Sequence, residues 1–202
     1  MHDLRNELPA DDQYGLLAAH GFAGAFGGLW MERDDRDEIA HILRADPLTR
    51  HDAALAECVR RQSGLSRPLA IWIGPHAPGW SVVVNLLPVG GALTDKALWS
   101  EGRRAVEVSW LTDIDGLYDL DYYHDGRLAE ELPAFWDGNL PPDSVFAPHT
   151  TGLVRDYGDD ADEKDLTAAF LTITGRITGR FIDTPWFSTP GSAYDLLPRG
   201  HG

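Results

Sequence analysis

Two periods of apolar residues divide the chain. Up to about residue 64 they recur every three or four positions, as on one face of a helix. From residue 69 to residue 132 they alternate, as on one face of a strand. In the first part Asp11-Asp12 precedes Tyr14, Leu16 and Leu17 and predicts a short helix ending at Gly21. Residues Gly24 to Glu32, glycine-rich with Phe26, Leu29, Trp30 and Met31, predict a short strand. Asp35-Arg36-Asp37-Glu38 has capping-box spacing and opens a helix to Arg44 with Ile39, Ile42 and Leu43 on one face and Pro47 at its exit. A third helix is predicted from about Arg50 to Ser63, with Leu55, Cys58, Val59 and Gln62 sharing a face and Gly64 closing it.

Leu69 to Ile73 and Trp80 to Leu87 then read as strands around a turn from Pro75 to Gly79. In the second, Trp80, Val82, Val84 and Leu86 oppose Ser81, Val83, Asn85 and Leu87, so both faces are apolar and the strand is central. Thr94 to Glu101 predicts a short helix, and Arg104 to Leu111 another strand. Leu117 to His124 and Arg127 to Leu132 flank Asp125-Gly126, a pair suited to the two positive φ values of a type I′ hairpin turn. Pro133 to Gly158 has no period and predicts a long surface loop pinned by Phe135, Trp136 and Phe146. A last helix runs from about Asp162 to Ile177 with Leu166, Phe170, Ile173 and Ile177 as its apolar stripe. The expected class is α+β: a central, mainly antiparallel β-meander flanked by N-terminal helices and a late C-terminal helix. Residues 1–182 form one domain, and 183–202 an irregular tail.

Charge narrows the functional classes. Thirty-two acidic residues against 17 basic ones give a net charge of −15. A field of that sign repels phosphate, which argues against nucleic acid and against anionic membrane surfaces as partners. One cysteine, Cys58, forms no internal disulfide and fits a reducing compartment. No basic, apolar leader opens the sequence and no apolar run reaches about 18 residues, so the expected location is cytoplasmic.

Three stretches carry a resemblance: Gly28-Leu29-Trp30 through the helix from Asp35 to Arg44; Gly79-Trp80-Ser81-Val82-Val83-Val84-Asn85 leading to Leu98-Trp99-Ser100-Glu101-Gly102-Arg103-Arg104-Ala105-Val106; and Tyr123-His124-Asp125-Gly126-Arg127-Leu128 with Thr174-Gly175-Arg176-Ile177-Thr178. Together, over most of residues 10 to 182, they resemble a family of uncharacterised actinobacterial α+β proteins, a domain of unknown function. That family carries no activity or catalytic residues to transfer. Its Gly-Trp strand commonly has a Glu where this chain has Asn85, so any chemistry of that acid is lost here. A looser similarity, in acidity, size and architecture, is to small bacterial toxin-immunity proteins.

The densest acidic stretch runs from Asp113 through Asp115, Asp119 and Asp121 to Asp125. Alternation sets Asp119, Asp121 and Tyr123 against Leu120, Tyr122 and His124. Its spacing is not that of a calcium loop, and it reads first as the charged face of a near-edge strand. His20, His41, His51, His76, His124 and His149 are scattered without zinc-ligand spacing, so neither a metal nor another cofactor is expected. Gly24, Gly27 and Gly28 miss dinucleotide spacing. The first functional expectation is an acidic interaction module, immunity-like or regulatory, that holds a basic protein partner through Asp113, Asp115, Asp119, Asp121, Trp136, Asp159 and Asp160. Trp136, Phe146 and Trp186, in irregular segments, are the aromatic candidates for contact. The second is a small-molecule enzyme whose site lies between the sheet and the 133–158 loop, with His149, His124, Asp121 and Tyr123 as acid/base groups.

Overall fold

The computed structural model describes residues 4–62, 69–87, 102–112, 114, 116–134, 139–153 and 162–197. The predicted helix at Thr94 to Glu101 lies outside them, as does Phe135. The described residues form an α+β fold around a nine-stranded antiparallel sheet. Its strands are β1 (Ala25–Met31), β2 (His51–Ala54), β3 (Ala70–Ala77), β4 (Trp80–Asn85), β5 (Arg104–Leu111), β6 (Gly116–Leu117), β7 (Leu120–His124), β8 (Arg127–Leu132) and β9 (Pro190–Asp195). The order is β2-β9-β3-β4-β1-β5-β7-β8, with β6 beside β5. Only β3-β4 and β7-β8 are neighbours both in sequence and in the sheet's main path. The meander is therefore interrupted twice: β1 enters between β4 and β5, and β9 between β2 and β3.

Alternation sorts the sheet into two faces. On face one Phe26, Trp30, Trp72, Trp80, Val82, Val84, Val106, Val108, Trp110, Leu120 and Leu132 form the larger core. Helices α1 (Gln13–Leu17), α3 (Leu55–Gln62) and α4 (Glu163–Thr178) supply its other half through Leu17, Leu55, Leu166, Phe170 and Ile173. On face two Leu29, Met31, Ile71, Ile73, Val83, Ala105, Tyr123 and Tyr194 meet Ile39, Ala40 and Leu43 from α2 (Arg36–Ile42) and the residue after it. The split of β4 into Trp80, Val82, Val84 and Leu86 against Val83 follows the alternation read from sequence.

Local signals set most helix ends. The Asp35 carboxylate accepts from the amides of Asp37 and Glu38, and the Asp12 and Asp162 carboxylates accept from Gly15 and Lys164. At the β7-β8 turn Asp125 and Gly126 take φ of 53° and 79°, the pair that a type I′ turn demands.

Three expectations need correction. Residues 50–63 are not one helix, because His51–Ala54 form β2, paired with β9, and only Leu55–Gln62 are helical. Nor is the segment after 182 irregular: Thr184–Ser188 make a 3-10 helix and β9 runs between β2 and β3. A strand whose partner lies some 140 residues away leaves no local period to read. Finally, α4 has more than a stripe in the core, since Thr167, Thr172, Thr174, Arg176 and Thr178 are buried too. Thr167, Thr172 and Thr178 satisfy their hydroxyls on the carbonyls of Glu163, Ala168 and Thr174, one turn back.

Candidate functional site

The β7-β8 end of the sheet brings carboxylates together. In register across three strands, Glu107 of β5 faces Asp121 of β7, and Asp121 faces Glu131 of β8. All three project to face two. Tyr123, on the same face, donates its hydroxyl to Asp121 Oδ2 at 2.6 Å.

Beyond the row lies an open cavity of about 750 Å³ between β8 and the segment 139–145, with Glu130, Glu131 and Asp143 in its lining beside Ala129, Leu140 and Val145. Glu130 shares face one with its cross-strand partner Tyr122 and holds the far wall. Its carboxylate accepts from the Ser144 hydroxyl and, at 2.7 Å, from the Val145 amide. Phe146, fully buried against Tyr122, anchors the same segment.

The expected site residues are distributed as follows. Asp119 accepts from the Ala134 amide at 2.7 Å and so fixes the exit of β8. Asp121 stands in the carboxylate row. Asp113, Asp115, Trp136, Asp159 and Asp160 lie outside the described residues. Phe146 and Trp186 are each 0% exposed, which overturns their expected role as contact anchors: irregular backbone did not imply an exposed ring. Of the four acid/base candidates Tyr123 and Asp121 are joined by their hydrogen bond, but the two histidines are not brought to them. Asp121 and Tyr123 are on face two, whereas His149 sits in the 3-10 turn Ala147–His149, on the face-one side with Phe146. His124 is exposed at the hairpin end. Sequence reading missed Glu107, Glu130, Glu131 and Asp143 as a group. Alternation placed Glu107 on its face, but only strand register joins it to Asp121 and Glu131.

Two other charged groups serve the architecture. Arg176 is 4% exposed and donates to the carbonyls of Glu7, His149 and Thr151 at 2.7 to 3.0 Å, with burial lowering its pKa. It ties the N-terminal arm and the 149–151 segment to α4. Arg104 forks onto Glu32 at 2.7 and 2.9 Å and lies 5.2 Å over the Trp80 ring, and its guanidinium holds the Glu32 carboxyl below the usual range. Arg50 is engaged by Asp37 and Asp52, Arg61 by Glu57 and Arg180 by Asp183.

Among the described residues no group of three His, Cys, Asp or Glu is arranged to hold a metal ion, and no helix is long and apolar enough to cross a membrane. Compared with protein-family models, curated proteins and solved structures, the chain matches none.

Proposed function

We propose that this protein is an interaction module, of the immunity or regulatory kind, that receives a basic protein partner at the β7-β8 end of its sheet. The observation that carries this reading is the in-register row Glu107–Asp121–Glu131, continued around the sheet edge by Glu130 and Asp143. Carboxylates gathered at one end of the sheet attract a basic surface and fix the register in which it docks. A net charge of −15 adds long-range attraction for a basic surface and repels acidic competitors.

The test compares two double variants of equal charge. Asp121→Asn with Glu131→Gln neutralises the row, while Asp11→Asn with Asp165→Asn neutralises exposed acids elsewhere. Binding of a fluorescent Lys-rich peptide is measured at low and at physiological salt. The row variant loses about tenfold in affinity and flattens the salt dependence, and the control pair changes little. Equal losses in both pairs overturn the proposal, because the attraction then belongs to the whole surface.

A further inference from the structure

β8 closes one end of the sheet, and its strand neighbour among the described residues is β7. The cavity of about 750 Å³ lies between β8 and residues 139–145. Successive side chains of a strand point to opposite faces, so Glu130 and Glu131 flank the edge from both sides of the sheet. A chain lying beside the β8 backbone meets one carboxylate above it and one below it. Asp143 adds a third from the opposite wall, while Ala129, Leu140 and Val145 give the groove apolar surface. No Lys or Arg is among the described lining residues. The far wall is fixed rather than collapsed on the edge, because Glu130 holds the Val145 amide and Phe146 is buried behind it.

We infer that the groove takes an extended segment of the partner, with pairs of adjacent basic residues between pairs of small apolar ones, which adds to the sheet as a further strand along β8 and sends one basic side chain of each pair to either face. This rests on the interaction reading above and specifies its mode. Strand addition draws affinity from main-chain hydrogen bonds and specificity from alternate side chains. Here the lysines or arginines are received by Glu130, Glu131 and Asp143, and the intervening residues by Leu140 and Val145. A six-residue edge spans about 20 Å, enough for one basic pair with apolar pairs on either side.

The probe is a synthetic Lys-Val peptide of about ten residues built from Lys-Lys-Val-Val repeats, compared with one in which Pro replaces every Val. The second keeps the charge and loses the amides that strand addition needs. Affinity is measured for the natural protein and for Glu131→Gln with Asp143→Asn, two exposed positions, with hydrogen exchange read over residues 127–132. The inference expects the Lys-Val peptide to bind about tenfold or more tightly than its proline counterpart, to slow exchange in β8, and to weaken about tenfold with the double variant. Equal binding of the two peptides, or binding that leaves β8 exchange unchanged, overturns strand addition. If the double variant still weakens binding in that case, the acidic-surface reading survives. Binding indifferent to both the prolines and the variant overturns the two together, and no binding of the Lys-Val peptide overturns the inference.

Discussion

Trp186 donates its indole N–H to Nδ1 of His76 across 3.1 Å. An indole nitrogen only donates, so His76 Nδ1 accepts and the ring proton sits on Nε2. That proton is directed to the carbonyl of Arg180 at 3.0 Å, with the Thr178 hydroxyl at 2.9 Å. One neutral imidazole thus joins β3, the end of α4 and the Thr184–Ser188 turn. Burial, and secondarily the Arg180 charge, push its pKa down to about 3.

A buried His that stays neutral makes stability depend on acid. In the unfolded chain the ring takes a proton below about pH 6.5, whereas in the fold it resists until about pH 3. The unfolded state therefore binds more protons in this window. The contribution is complete above pH 6.5 and is lost as pH falls towards 3, by roughly 1.4 kcal/mol per pH unit. Denaturant unfolding at pH 7 and pH 4 checks it: His76→Gln, though less stable at pH 7, loses about 3 kcal/mol less than the natural protein between the two. Equal losses remove His76 as the cause.

Arg176 holds two distant segments through carbonyl oxygens alone. Arg176→Met keeps the bulk, leaves those carbonyls without their donor, and costs roughly 2 to 4 kcal/mol. Arg176→Lys does not restore it, because a single ammonium lacks the fork that reaches all three carbonyls. In both variants hydrogen exchange accelerates first in residues 4–10 and 147–153, before the sheet responds. Uniform acceleration across the molecule contradicts the tie.

Trp72 lies against two glycines. A Cβ on Gly74 meets its ring at 2.0 Å and one on Gly191 meets it at 2.4 Å. The ring has little room to give, being 0% exposed and donating to the Ala53 carbonyl at 2.9 Å. Gly74→Ala and Gly191→Ala each lower stability by about 1 to 3 kcal/mol, seen as a depressed Tm. Gly24→Ala, with nothing within 4 Å of its Cβ, changes stability by less than about 0.5 kcal/mol.

Removing residues 183–202 takes away β9, which bonds to both β2 and β3, together with the fully buried Trp186 and Phe187. The truncated chain loses its cooperative unfolding transition in calorimetry. A truncated chain that melts as before would mean that the remaining sheet closes without β9.

The amino-acid sequence by itself determined the elements whose causes are local. Asp35 and Asp162 mark helix starts, Asp125-Gly126 sets the hairpin, and alternation from Trp80 to Leu86 and from Arg104 to Leu111 sorts side chains between the two faces. Each rests on residues within a few positions of one another, where capping bonds and positive φ are fixed by side-chain chemistry. Tertiary structure alone decided that Pro190–Asp195 is an interior strand, that His51–Ala54 leave the helical pattern, and that Glu107, Asp121 and Glu131 share one row. These depend on hydrogen-bond partners far along the chain, and strand register is a property of the pair. The net charge was legible from the start; the row in which three of the carboxylates meet was set by pairing.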